Sequence, residues 1–337
     1  MPSTMTTRDW GALGVLSLLW GGSFFFYKVV AHDVPPLVTV ASRVAIAGPL
    51  LFALVRASGQ TMPRSASTWS AFVCMGVLNN VIPFGLIAWS ETQITSGLAS
   101  ILIATAPIFT VLLARAVGER LTFNRVLGVL CGLAGVAVLV GPNSLGRLNL
   151  TSAAQLALLA AAMSYAAAAI FGRRFARMSL PPLVTATGQL LGASLVALPL
   201  AGALEFMQSR ALERAPGLER PGLHWTAFHL PLESWLALLG LALLSTALAY
   251  LIYFQILATA GATNVLLVTL LVPISALALG ALFLHEHLEW TSYAGMTFIF
   301  AALAIIDGRA LPFVLRAFAR VRSQVRQLAQ RVIERAY

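Results

Sequence analysis

Apolar residues run along this chain in blocks of roughly 20, and short stretches between them hold most of the arginine, proline and acidic residues. About 20 residues is the helical length that crosses ~30 Å of hydrocarbon at ~1.5 Å per residue. Lipid offers backbone N–H and C=O groups no partner, so blocks of this kind must be helices. The pattern predicts ten spans, near 10–30, 35–55, 69–90, 94–114, 122–140, 151–172, 180–202, 233–255, 261–284 and 291–309. Trp10, Trp69, Trp89, Trp235 and Trp290 fall at span ends, where an amphipathic ring prefers the headgroup level.

Composition agrees and narrows the classes. The chain is 59% hydrophobic and only 10% charged, too little polar surface to wrap a soluble globule of 337 residues. Soluble enzymes and nucleic-acid-binding proteins are excluded on that ground, despite a net charge of +10. Cys74 and Cys131 both sit inside apolar blocks and read as small buried residues, not a disulfide framework. The first apolar run lacks an A-x-A-like cleavage site after it and reads as a retained span.

Charge sets an expected orientation. With a cytoplasmic N-terminus, the inner segments hold sixteen Lys and Arg and the outer segments five, with Arg43 inside a span. The bias predicts cytoplasmic N- and C-termini in a bacterial-type inner membrane.

The chain also repeats itself. PPLVT occurs at 35–39 and again at 181–185, each time opening a span, and this offset sets Arg43 opposite Gln189. A second register pairs Trp69 with Trp235 and Pro107 with Pro273; one residue further on, Glu119 matches Glu286 and Gly128 matches Gly295. Five spans per half is odd, so the halves must insert with opposite topology, an arrangement that puts a solute site near the midplane between them. The expected units are a first repeat at 1–142, a second at 143–311 with a long outer connection at 203–232, and a tail at 312–337.

The opening LLWGGSFFFYK, the arginine of span 2 and the run ATAPIFTVLLARAVGERLTFNRVLGVLCGLAGV resemble the drug/metabolite transporter superfamily, in particular its ten-span exporters with two EamA-type domains. VPISALALGALFLHEHLEWTSYAGM repeats the pattern more loosely in the second half. The resemblance covers residues 10–309 and implies a secondary transporter of small amphipathic solutes, amino acids or related metabolites, working by alternating access with one half rocking against the other. Multidrug efflux is the alternative within transport. A membrane scaffold or lipid-handling protein is the alternative outside it. No enzymatic activity, cofactor or metal is implied, and the partners expected are a small-molecule substrate and the bilayer, with the chain a monomer or weak homodimer.

Polar residues inside the spans supply the candidate site. Arg43 costs at least ~2.5–3.5 kcal/mol at a span centre and must therefore face protein or water. It is either a counter-charge for a substrate carboxylate or a structural residue bonding helix-end carbonyls. Thr246, Tyr250 and Tyr253 follow i, i+4, i+7 spacing and share one helical face, and their register partners in span 3 are Asn80, Phe84 and Ile87. Trp20, Tyr165, Gln189 and Asn264 complete an expected aromatic, amphipathic lining; the alternative is that these groups only bond helix to helix. His285 and His287 are two apart and point to different sides of a helix, so HEHLE is a connection and not a metal site. Gly128 and Gly132 form a GxxxG that serves packing within the chain or a dimer seam. In the tail, apolar residues recur at steps of four and three among six arginines, which predicts an interfacial helix on the anionic leaflet or a short coiled coil. No carboxylate falls near a span midpoint, so transport is expected to be facilitated or exchange-driven unless Glu91 or Glu286 sits deeper than these boundaries.

Overall fold

Thr6 starts the first helix with a reciprocal cap: Asp9 N donates to its Oγ1 at 3.2 Å, and Thr6 N donates to Asp9 Oδ2 at 2.9 Å. The computed structural model describes residues 6–118, 122–140, 150–214, 230–260 and 267–307, and within these every regular element is helical. Helix α1 (Thr7–Val30) is followed by α2 (Pro36–Ala57), which has proline in its first turn, where a missing N–H is harmless. Helix α3 (Ala66–Gly76) passes through a π-helical turn (Val77–Val81) into α4 (Ile82–Ser90). Helices α5 (Ser96–Ile103) and α6 (Ala106–Ala116) form one rod broken just ahead of Pro107, as proline dictates. Then come α7 (Phe123–Val140), α8 (Leu150–Arg177) and α9 (Pro182–Arg214). Helix α10 (Leu232–Leu239) runs through a second π-helical stretch (Gly240–Leu248) into α11 (Ala249–Ala260), and α12 (Val268–Phe283) and α13 (Trp290–Asp307) complete the described chain.

Among the described residues, seven helical stretches are long and apolar enough to cross a bilayer: Thr7–Val30, Pro36–Ala57, Ala66–Ser90, Ser96–Ala116, Thr151–Phe175, Pro182–Met207 and Leu232–Leu257. Val126–Val138 and Leu271–Phe283 are shorter apolar helices. Large apolar side chains such as Leu18, Phe52, Leu130, Leu195 and Leu236 point outward, the arrangement of a protein whose solvent is lipid. The protein is a multi-pass, all-helical membrane protein. Cys74 departs from the expectation of burial: it is exposed on α3, and Cys131 is only partly covered. In an apolar span an outward thiol meets lipid, which a small apolar-tempered side chain tolerates as well as a core.

The helices pair mainly across the two repeats. Helix α1 lies along α12, α2 and α3 lie along α9, α4 along α8, and α7 along α13. Small residues permit these approaches. A Cβ on Gly192 of α9 would stand 2.8 Å from the backbone of Phe72 on α3, and a Cβ on Gly21 of α1 would stand 2.6 Å from the Ser275 side chain on α12. Ser17 and Ser275 share a hydrogen bond of 2.6 Å at the same α1–α12 seam. Gly132 of the GxxxG packs within the chain, against Ile108 and Ala302. Most of the closest helix seams thus lie between the two repeats. The 312–337 tail, residues 215–229 of the expected 203–232 connection and Asn264 lie outside the described residues, and α9 runs on as helix through 203–214 of that connection.

Candidate functional site

Between the repeats lies a cavity of about 660 Å³. Its walls come from α1 (Trp20, Tyr27), α2 (Arg43), the α3–α4 rod (Asn79, Phe84), α8 (Tyr165), α9 (Gln189) and the α10–α11 rod (Thr246, Tyr250, Tyr253). It extends to the α8–α9 connection, where it meets Leu180 and the exposed Pro182.

Arg43 sits in this wall and is only 4% exposed. Its Nε donates to Thr246 Oγ1 at 2.7 Å and one Nη1 N–H donates to Tyr27 Oη at 2.8 Å. Nη2 donates to the Ser245 carbonyl at 3.3 Å and, more weakly, to Ser23 Oγ at 3.5 Å. The guanidinium carbon lies 3.9 Å from the centre of the Phe84 ring, a cation–π contact. A guanidinium has five N–H groups, and these bonds use four, leaving the second N–H of Nη1. All four oxygen partners are neutral, so the positive charge at this point is held in place but not cancelled.

The π-helical stretch explains how span 8 meets Arg43. A π turn widens the helix to i→i+5 bonding, and Thr246 Oγ1 donates to Leu241 O, five residues back, at 2.8 Å. Ser245 and Thr246 thereby present a carbonyl and a hydroxyl side by side to the guanidinium.

A second polar chain lies beside it. Asn79 Nδ2 donates to Gln189 Oε1 at 3.2 Å, and Gln189 Nε2 donates to Tyr250 Oη at 3.0 Å. Tyr250 stacks on Phe254, and Trp20 lies 5.7 Å from Tyr253, ring centre to ring centre. The result is a mostly aromatic chamber with one uncancelled cation and a short amide–phenol relay.

Of the residues singled out from the sequence, Trp20, Arg43, Phe84, Tyr165, Gln189, Thr246, Tyr250 and Tyr253 all reach the cavity. Asn80 does not: it is fully buried, and neither atom of its amide finds a partner. Its neighbour Asn79 takes the position in the wall. Within the π turn, stepping back five residues from Phe84, not four, reaches the same face, which selects Asn79. Ser23 and Tyr27, which hold Arg43, carry no sequence signal of their own apart from lying one helical turn apart, four residues, after Trp20. Among the described residues no group of three or more His, Cys, Asp and Glu could hold a metal.

Residues 10–141 and 152–307 match the EamA-like transporter family, one domain in each repeat. The chain is 28% identical over 320 residues to a probable amino-acid metabolite efflux pump of Salmonella typhimurium, covering 94% of this chain and 99% of that one. It is 25% identical over 280 residues to the uncharacterized transporter YoaV of Bacillus subtilis, covering 82% and 89%. It is 30% identical over 165 residues to the uncharacterized inner membrane transporter YedA of Escherichia coli K12, covering 49% and 53%. A crystal structure of a protein that shares 20% identity superposes with a TM-score of 0.55 over 91% of this chain and 98% of its own, a likeness of fold.

Proposed function

Because this chain belongs to the EamA-like transporter family, we propose that it is a ten-span secondary transporter exporting amino acids or related amphipathic metabolites across an inner membrane, with both termini cytoplasmic. The observation that carries the reading is Arg43: a fixed cation in an aromatic chamber, held by neutral groups alone, with one N–H still free. A solute with an apolar body and a carboxylate complements such a chamber, because the carboxylate meets the charge while the body covers the rings. The probable amino-acid metabolite efflux pump of Salmonella, similar along almost the whole length, supports the same class of cargo. A cationic drug would meet Arg43 as a like charge, which argues against broad cation efflux. The reach of the cavity to the exposed α8–α9 connection argues against a closed scaffold.

Alternating access then exposes Trp20, Arg43, Phe84, Tyr165, Gln189, Thr246, Tyr250 and Tyr253 to each side in turn. Given the seams described above, the moving units draw helices from both repeats. The test is counterflow in proteoliposomes loaded in turn with amino acids, their amides, cationic drugs and sugars. Exchange of carboxylate-bearing solutes alone is the expected result, and exchange of cations in preference to them would overturn the assignment.

A further inference from the structure

The end of the molecule where α1 finishes is closed by contacts between the repeats and, within the first repeat, between α1 and the α4–α5 connection. Glu286, on the α12–α13 connection, caps α5: its Oε1 accepts Ser96 N at 2.9 Å, and its Oε2 accepts Ser96 Oγ at 2.7 Å and Gly97 N at 3.3 Å. Ser234, opening α10, donates to Asp33 beyond α1. Lys28 Nζ, in the last turn of α1, donates to the carbonyls of Glu91 at 2.8 Å and Ile94 at 2.9 Å.

Inside this closure lies Glu91, a carboxylate whose side chain takes part in none of these contacts. It is 0% exposed, and neither Oε1 nor Oε2 has a hydrogen-bond partner. Lys28 spends its bonds on the backbone carbonyl of this same residue and not on its side chain. On the α8 side, Ser90 Oγ donates to Ala154 O, and the adjacent Gln155 presents an Oε1 that is likewise buried without a donor. A bare carboxylate without donors is among the costliest groups to bury, and such a group neutralises instead. A protonated carboxyl is the form this pocket accepts.

We propose that Glu91 is a proton-binding site whose occupancy is coupled to closure of this end: the carboxylate takes up one proton as the end closes and releases it to water as the end opens. On opening, Lys28 leaves the Glu91 and Ile94 carbonyls and becomes the partner of the ionised side chain. The titratable groups that face Glu91 are Lys28 and Tyr27 from α1 and Glu286 from the α12–α13 connection. Burial pushes the Glu91 carboxyl well above the ordinary carboxylate range; Lys28 opposes that rise and Glu286 adds to it. The sign follows. Closure binds a proton, so acid favours the closed form, and the closed fraction falls as pH rises from the open-form pKa to the closed-form pKa. Between those two values the closed-to-open ratio changes by up to about tenfold per pH unit. Glu91 does not line the cavity. It therefore acts on the gate and leaves the cargo's own contacts unchanged.

The test needs no substrate, so its failure leaves the transport assignment standing. Exposed His32 and Glu289 border the closed end. With Cys74 and Cys131 replaced by serine, spin labels at His32→Cys and Glu289→Cys report the separation across it in nanodiscs. Between pH 5 and 9 the wild-type background should pass from a short-distance to a longer-distance population. Glu91→Gln, a neutral isostere of the protonated side chain, should stay short at every pH. Lys28→Met, which removes the opposing cation, should move the midpoint to higher pH, so the proposal stays testable if Glu91→Gln does not fold. A pH-invariant distance in the background would overturn it, as would an unaltered titration in Glu91→Gln or an unmoved midpoint in Lys28→Met.

Discussion

Replacing Arg43 by glutamine separates a substrate counter-charge from a structural brace. In the structure the guanidinium has four neutral oxygen partners, one free N–H and the face of Phe84. A carboxylate bound about 4 Å away would gain about 4 kcal/mol at the effective dielectric of a protein boundary and about 1 kcal/mol if water filled the cavity. Arg43→Gln should therefore weaken binding of a transported amino acid by roughly 5-fold to several hundred-fold. A neutral amide remains able to bond Thr246 and Tyr27, so part of the brace survives. The assay is counterflow KM in proteoliposomes for an amino acid and for its carboxamide, in wild type and variant, which completes a thermodynamic cycle between residue and ligand. A general loss of packing moves both solutes by the same factor. A lost counter-charge moves only the acid, and the wild-type preference for acid over amide should collapse toward unity. If the ratio of the two KM values is unchanged in Arg43→Gln, the arginine is a brace and the carboxylate argument fails.

Trp20→Ala and Tyr250→Ala should lower transport severalfold while expression and monodispersity hold, and cysteine at either position should react with a water-soluble thiol reagent; normal transport with neither position labelled would remove both from the cavity. Gly192→Val drives a side chain into the backbone of Phe72, and overpacking of that kind costs about 1–3 kcal/mol or more. Its thermal unfolding midpoint in detergent should fall clearly, and an unchanged midpoint would show the α3–α9 seam to be loose. Reporter fusions at residue 337 should be active on the cytoplasmic side only, and an external reading would reverse the orientation drawn from the arginine bias.

Much of the architecture was legible because lipid leaves few choices: apolar blocks of span length have to be helices, and Pro36, Pro182 and Thr95 mark starts where helices do begin. The face carrying Tyr250 and Tyr253 was also legible, because α11 keeps ordinary helical spacing, and Thr246 joins that face from the end of the π-helical stretch. Asn79 was not. Counting by 3.6 residues per turn assumes an α-helix throughout, and no Gly or Pro within VLNNV announces the wider turn that shifts the wall by one residue. Glu91 was legible only as a carboxylate that could sit deeper than the span boundaries, and for another reason. Its position just after a span reads as a connection, whereas the chain folds that connection inward beneath Lys28 and the α12–α13 corner, contacts that are 63 to 190 residues apart in sequence. The cross-repeat pairing was hidden for the same cause, since a repeat in sequence says that two halves are alike and nothing about how they interleave.

That interleaving bears on how the protein is made. Ribosomes deliver α1 long before α12, and α2 and α3 long before α9, so the faces around Ser17, Gly21 and Phe72 enter the bilayer without the helices that will cover them. Those faces are small and lightly polar, tolerable against lipid for a time but poor partners for it. The amino-terminal repeat can at first close only the contacts among its own helices, and the cross-repeat seams close only as the carboxy-terminal repeat arrives to be threaded among them. A substitution in a late helix, even one far from the cavity, can then strand the early ones and expose them to membrane quality-control proteases.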